Sequence, residues 1–227
     1  MEPITCPTVP ILSDPVAEYL RALRPERSPL MREMEALAER ERIPIVHWET
    51  GRFLATLVRA LDPALVLEVG TAIGYSTLHM AEALGRGRIV TIERDPERAG
   101  QARGFFERGG VAERVEIVEA DALEAIAGLD GPFELIFLDA SKDEYRRYLE
   151  LAEPKAAERA ALVIDNVLMS GSVAFGDDVE VPDEFGSWWG VEQRGAARAL
   201  NSELIGSARW LGSVLPIGDG VAFAARL

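Results

Sequence analysis

At 227 residues, 48% of them hydrophobic and 27% charged, the chain is long enough to bury one sizeable core and too apolar for wholesale disorder. Its 38 acids against 24 bases give a formal charge of −14, which repels a phosphate backbone and makes nucleic acid a disfavoured partner. Cys6 is the one cysteine, which rules out an intramolecular disulfide, no stretch approaches the ~18 consecutive apolar residues of a membrane span, and Met1 to Pro15 lacks the basic-then-apolar order of a signal peptide, so the expected location is the cytoplasm.

After the Pro-rich start, Asp14-Pro15 opens a helical pattern to about Leu23 and Ser28-Pro29 another to about Arg42, each with a capping residue followed by Pro at the first helical position. A third helix, from about Glu49 to Leu61, carries Phe53, Leu54, Leu57, Val58 and Leu61 on one face and stops at Asp62-Pro63. From Ala64 short apolar runs alternate with helices. Strand Leu65 to Val69, helix Tyr75 to Leu84, strand Arg88 to Ile92 and helix Pro96 to Arg108 come first. Strand Val115 to Val118, helix Ala122 to Ala127, strand Phe133 to Leu138, helix Lys142 to Ala152 and strand Ala161 to Ile164 follow. Such βα repeats predict an α/β fold, a mostly parallel sheet with helices on both faces and right-handed connections.

Residues 171–193 hold six acids, no Lys or Arg, and the pair Trp188-Trp189, and read as a long loop or insertion. A helix from about Val191 to Ile205 follows. Then Ala208 to Leu215 and Val221 to Arg226 flank the turn-rich Pro216-Ile217-Gly218-Asp219-Gly220, which predicts an antiparallel hairpin closing the sheet edge. The expected organisation is one domain: an N-terminal helical cap (1–63), a cofactor-binding core (64–170), an acidic insertion or lid (171–193), and a C-terminal helix and hairpin (194–227).

Two acidic segments stand at the carboxyl ends of predicted strands, where open α/β sheets place ligands: Asp139-Ala140-Ser141-Lys142 and Asp165-Asn166. Together they offer three hard oxygen ligands and one amine. Adjacent parallel strands lie ~4.8 Å apart, so Asp139 and the Asp165-Asn166 pair can share one ion if their strands are neighbours, and all-oxygen ligation selects Mg²⁺ or Ca²⁺ over zinc. The alternative is a helix cap at Asp139 and a turn at Asp165-Asn166. Lys142 is one of only two lysines among 24 basic residues. A lysine can lose its proton where an arginine cannot, so Lys142 is a candidate base; the alternative is a solvated surface lysine. Ser141 and Glu144 read as a capping box that puts Lys142 in the first turn of a helix.

Glu68-Val69-Gly70-Thr71-Ala72-Ile73-Gly74-Tyr75-Ser76 is an E-x-G-x-x-x-G loop between the first strand and the next helix. Its glycines admit a ligand to the backbone, but it lacks the dinucleotide spacing, and acidic Glu68 suits a cofactor carrying an amino group. Glu93, about 20 residues on, is placed to accept both ribose hydroxyls of a nucleoside. Asp121-Ala122 ends the third strand and faces an adenine, or Asp121 serves only as an N-cap. Of the two histidines, His79 has core-like spacing and His47 is a weaker candidate for a substrate pocket.

These spacings resemble the cation-dependent O-methyltransferases, the caffeoyl-CoA and catechol O-methyltransferases and their small bacterial relatives, from about Glu49-Thr50-Gly51-Arg52-Phe53-Leu54 to Leu215-Pro216-Ile217-Gly218-Asp219-Gly220. The resemblance is strongest in Leu67 to Tyr75, Phe137 to Tyr145 and Ile164 to Leu168. It implies a Rossmann-like seven-stranded class I methyltransferase sheet and S-adenosylmethionine held by the glycine loop (Glu68, Gly70, Thr71, Tyr75, Ser76), Glu93, Asp121, Ala122 and Asp139. It further implies a divalent cation on Asp139, Asp165 and Asn166, Lys142 as base, Val46 near the methionine end of the cofactor, and a homodimer. The sequence departs from the family at Ser141, where a second acid is common, and in the longer segment Val173 to Gln193, whose tryptophans stack on an aromatic substrate or pack a contact. The implied reaction is methyl transfer to a vicinal diol on an aromatic small molecule. Methylation of a hydroxylated transfer RNA base and a non-catalytic cofactor-binding protein are the alternatives.

Overall fold

Each strand expected from Leu65 onward forms, and the strands join one seven-stranded sheet in the order β3-β2-β1-β4-β5-β7-β6. The computed structural model describes residues 14–185 and 189–227, so Cys6, the Pro-rich start and Trp188 lie outside the described residues. The strands are β1 (Leu65–Val69), β2 (Arg88–Glu93), β3 (Val115–Glu119), β4 (Phe133–Leu138), β5 (Ala156–Ile164), β6 (Trp210–Leu215) and β7 (Val221–Arg226). The helices are α1 (Asp14–Ala22), α2 (Pro29–Glu41), α3 (Trp48–Leu61), α4 (Tyr75–Ala83), α5 (Pro96–Arg108), α6 (Ala122–Gly128), α7 (Tyr145–Ala152) and α8 (Val191–Ile205).

Strands β1 to β5 are parallel, while β7 pairs antiparallel with both β5 and β6. The hairpin therefore closes the edge as predicted, with its second strand innermost. Alternate residues of the central strands face opposite layers. Val66, Leu135, Phe137 and Val163 pack with Leu54, Val58, Leu78 and Phe106 of α3, α4 and α5, along with Met31 and Met34 of α2. Leu67, Val69, Ile136, Leu138 and Ile164 pack with Ile126, Tyr148 and Leu204 of α6, α7 and α8. Burying each such side chain contributes about 1.5–3 kcal/mol, so the two layers hold the sheet rigid beneath its carboxyl edge. That edge has its topological switch between β1, which leads to β2, and β4, and open α/β folds bind ligands at such a point.

Local chemistry explains most boundaries. Ser28 caps α2 by accepting from the Met31 N–H, and Asp95 caps α5 by accepting from Glu97 and Arg98. Asp62 ends α3 in a left-handed conformation just before Pro63. Two expectations need correction. Strand β5 begins at Ala156, not near Ala161, because exposed Glu158 and Arg159 sit where the pairing with β4 shifts register, which breaks the apolar pattern. The Ser141–Glu144 capping box does not form: the Ser141 side chain makes no cap bond, residues Lys142–Glu144 make a 3₁₀ turn, and the Glu144 carboxylate accepts from Tyr148 and Arg147 instead. Up to the start of α8, the described residues of the acidic segment are coil with short 3₁₀ turns at Met169–Ala174 and Asp183–Phe185. Arg198 of α8 anchors it, donating to the carbonyls of Val173 and Phe175 and pairing with Asp177.

Candidate active site

A cavity of about 430 Å³ opens along the carboxyl edge. It begins over the glycine loop. Gly70 has φ +104°, and a Cβ there would run into the Asp139 carbonyl, so glycine lets the loop close on the start of the Asp139 segment. Gly74 has φ +85° and lies against the Phe106 ring, which brings α4 onto α5. The loop is fixed to the next strand by Glu93, whose carboxylate accepts from the Ala72 N–H at 2.7 Å and the Asp95 N–H at 2.9 Å while lining the cavity. Gly70, Thr71, Tyr75 and Ser76 line it as well, with Asp121 and Ala122 at its far end and Val46 opposite. Asp121 is at the same time the N-cap of α6, accepting from Leu123 at 2.9 Å. Arg94 and Arg98 also face this end, a basic contribution that the sequence pattern did not single out.

Glu68 is placed differently from its neighbours. It shares the Val66 face of β1, is fully buried, and does not line the cavity. Its carboxylate accepts from the hydroxyls of Ser76 at 2.6 Å, Thr77 at 2.5 Å and Thr91 at 2.7 Å, and Thr91 in turn contacts the Thr71 hydroxyl at 2.6 Å. Burial pushes the Glu68 carboxyl up to about 7 in spite of those three hydroxyls. Its position is that of a clamp beneath the loop, with no open path to a cofactor amine.

The other end of the cavity holds the two acidic segments. Strands β4 and β5 are neighbours, so Asp139, Asp165 and Asn166 emerge side by side and line the same space as Lys142. The Lys142 Nζ donates to Asp139 Oδ1 at 2.5 Å and lies 5.3 Å from the centre of the Tyr145 ring; only 15% of the Lys142 side chain is exposed, which removes the solvated-lysine reading. Asp165 is almost fully buried, and its Oδ1 has no hydrogen-bond partner. Burial first, and then the Asp139 charge, push its carboxyl well above the usual range. The Tyr145 hydroxyl beside it is likewise buried and unpartnered. Among the described residues no group of three His, Cys, Asp or Glu side chains has metal-holding geometry. The set here is two carboxylates and an amide. An unpaired, desolvated carboxylate oxygen next to a second carboxylate and an amide oxygen fits a hard divalent cation.

The wall beyond Asn166 comes from distant parts of the chain. Asp219, in the turn between β6 and β7, accepts from the Ser170 hydroxyl at 2.8 Å and from Asn166 Nδ2 at 3.4 Å, and His47 Nε2 lies 3.4 Å from its Oδ2. Burial works to raise the Asp219 carboxyl, but His47, Ser170 and Asn166 outweigh it and hold it below the usual range. The contact with Asp219 in turn raises His47. Asn166, Met169 and Ser170 are left-handed here although none is glycine. Such backbone costs about 1–3 kcal/mol per residue and persists where surrounding contacts enforce it. Trp189 packs on Met169, Val173 and Ala197 and also lines the cavity, so it serves both packing and the pocket. His79 is partly buried in the helical layer, edge-on to Tyr75 and away from the cavity.

The sequence matches the O-methyltransferase family over residues 23–227. It is 41% identical over 135 residues to a catechol O-methyltransferase of Mycobacterium tuberculosis, a match covering 58% of this chain and 61% of that one. A catechol O-methyltransferase of Niastella koreensis is 37% identical over 128 residues, covering 54% of this chain and 58% of the relative. The matched region thus spans about three-fifths of the length of these two relatives. Among solved structures, the O-methyltransferase TomG of Streptomyces achromogenes, involved in tomaymycin synthesis and crystallised with S-adenosylmethionine, superposes with a TM-score of 0.77 at 27% identity, over 93% of this chain and 96% of that one.

Proposed function

Because the chain belongs to the O-methyltransferase family, we propose that it transfers the methyl group of S-adenosylmethionine to one hydroxyl of a vicinal diol on an aromatic small molecule, with a divalent cation, Mg²⁺ or Ca²⁺, in the site. The observation that carries this reading is the meeting of Asp139, Lys142, Asp165 and Asn166 in the cavity that also contains the glycine loop and Glu93. S-adenosylmethionine supplies a methyl group on a positively charged sulfur. Glu93 would take the ribose hydroxyls with the carboxylate lone pairs that Ala72 and Asp95 leave free, Asp121 and Ala122 would border the adenine, and Gly70, Thr71 and Val46 would lie at the methionine end. Asp139, Asp165 and Asn166 would hold the cation, which would supply a Lewis acid that lowers the pKa of a bound hydroxyl. Lys142, on the Asp139 side, receives the proton of that oxygen. Val46, Tyr75 and the surrounding apolar walls exclude water, which strengthens the attraction between an anionic oxygen and a cationic sulfur.

In this reading the acidic segment, of which Trp189 lines the cavity, serves as a lid for the acceptor end. Val16, Tyr19 and Leu23 leave an apolar face exposed around α1, which supports a homodimer. No helix among the described residues is long and apolar enough to cross a membrane.

The test is turnover with S-adenosylmethionine and Mg²⁺ on 3,4-dihydroxybenzoate and on 4-hydroxybenzoate. The expected result is a monomethyl product from the diol alone. Cofactor binding with no product from any diphenol would instead indicate a binding protein that has kept the site without the chemistry.

A further inference from the structure

Strand order sets out the site as a line. From one end of the carboxyl edge to the other come Asp121 after β3, Glu93 at the end of β2, the glycine loop after β1, Asp139 and Lys142 after β4, Asp165 and Asn166 after β5, and Asp219 before β7. The cofactor therefore approaches from the β1 side, and Lys142 stands on that same side of Asp165. His47 and Asp219 stand on the other. A vicinal diol seated at Asp139, Asp165 and Asn166 has one oxygen toward Lys142 and one toward Asp219. We infer that His47, braced by Asp219, binds the oxygen that is not methylated and so decides which of the two hydroxyls receives the methyl group. This rests on the diol methyltransferase reading.

Three independent features support the assignment. His47 is the N-cap residue of α3, a position where Asn, Asp or Ser would bond the first turn, yet its side chain makes no cap bond and turns to the cavity. No hydrogen bond among the described residues engages its Nδ1, while Nε2 is directed at Asp219. Nδ1 is thus left to accept from the second hydroxyl when the ring is neutral, or to donate to its oxygen when the ring is protonated. Finally, the turn carrying Asp219 is built for close approach: Gly218 (φ +54°) lies against His47 and Thr50, and Gly220 (φ +91°) against Leu168. A side chain at Gly218 would push the turn off His47 and Thr50, and one at Gly220 would push it off Leu168.

In the transfer, the Lys142-side oxygen forms its bond to the methyl carbon as the methyl–sulfur bond breaks, and its proton passes to the Lys142 amine. The other oxygen keeps its proton and its contact with His47. A ring bearing one substituent can bind in two orientations. His47 and the wall around it favour one of them, and loss of the contact lets both compete.

The experiment uses the full chain with S-adenosylmethionine, Mg²⁺ and 3,4-dihydroxybenzoate, and quantifies both monomethyl products. The wild type is expected to give unequal amounts. His47→Ala should move the ratio toward parity and raise KM for the diol, each about three- to tenfold, as for one lost hydrogen bond, with S-adenosylmethionine affinity by calorimetry unchanged. His47→Asn, which keeps a hydrogen-bonding side chain, should retain more of the bias than His47→Ala. A His47→Ala ratio equal to that of the wild type, or a wild-type ratio already at parity, would overturn the inference while the methyltransferase reading stands. A wild type that methylates no diol would overturn that reading and the inference with it.

Discussion

At the β1–β3 end of the cavity the polar side chains are already bonded within the protein, whereas at the β4–β7 end several are not. Glu93 accepts from two backbone N–H groups, Asp121 caps α6, Thr71 contacts Thr91, and Glu68 collects three hydroxyls. Across the switch point, Asp165 Oδ1 and the Trp189 indole N–H, both of residues that line the cavity, are buried without partners, as are the Tyr145 and Thr50 hydroxyls off its lining, and three non-glycine residues of the Asn166 loop are left-handed. A satisfied cradle costs nothing to keep waiting, while a buried unpaired group costs about 1–3 kcal/mol until something pairs it. Under the proposed function the first end would be preformed for the cofactor, and the second would be completed by a cation and an acceptor.

If the two ends have separate tasks, substitutions should separate them. The largest effect is expected from Lys142→Arg, which keeps the positive charge beside Asp139 but removes a group able to accept a proton: kcat should fall by about 10²–10⁴ while S-adenosylmethionine affinity by calorimetry stays the same. A parallel loss of cofactor affinity would show that the ends are not separable. Glu68→Gln addresses the clamp beneath the loop. The Glu68 carboxyl is raised from 4.5 to about 7 in the folded chain, so folding favours its protonated form. Its contribution to stability is full below pH 4.5 and is lost as pH rises through 7. That window is worth on the order of 3 kcal/mol. Denaturant midpoints measured from pH 5 to 8 should therefore fall more steeply for wild type than for Glu68→Gln; identical slopes would mean that Glu68 does not titrate in this range. The smallest effect is expected from Glu93→Gln, roughly a 10–100-fold weakening of S-adenosylmethionine binding with kcat at saturating cofactor little changed. A fall in kcat alone would place Glu93 in the chemistry instead of the cradle.

The sequence made the alternating core legible because Leu65–Val69, Phe133–Leu138 and Leu162–Ile164 are near-continuous apolar runs, as strands buried on both faces must be. It also disclosed where β4, β5 and β2 end, and hence the positions of Asp139, Asp165 and Glu93 at the sheet's carboxyl edge. Three things escaped it. The first half of β5 was hidden because Glu158 and Arg159 face solvent at a register shift. Glu68 sits inside a motif whose neighbours line the cavity, and only strand alternation, which puts it on the Val66 face, reveals that it points into a helical layer. The Asp219–His47–Ser170 wall joins residues separated by up to 172 positions. No local pattern encodes that meeting; its traces in the sequence are His47, a candidate for a substrate pocket, and an aspartate between two glycines in a predicted hairpin turn.

The most direct test of a cation-dependent centre at Asp139, Asp165 and Asn166 is the rate of methyl transfer to 3,4-dihydroxybenzoate by protein stripped with a chelator and then titrated with Mg²⁺. The expected result is a rate reduced by at least about 10²-fold after stripping and restored by Mg²⁺, with no restoration in Asp165→Ala. Full activity in excess chelator would contradict it.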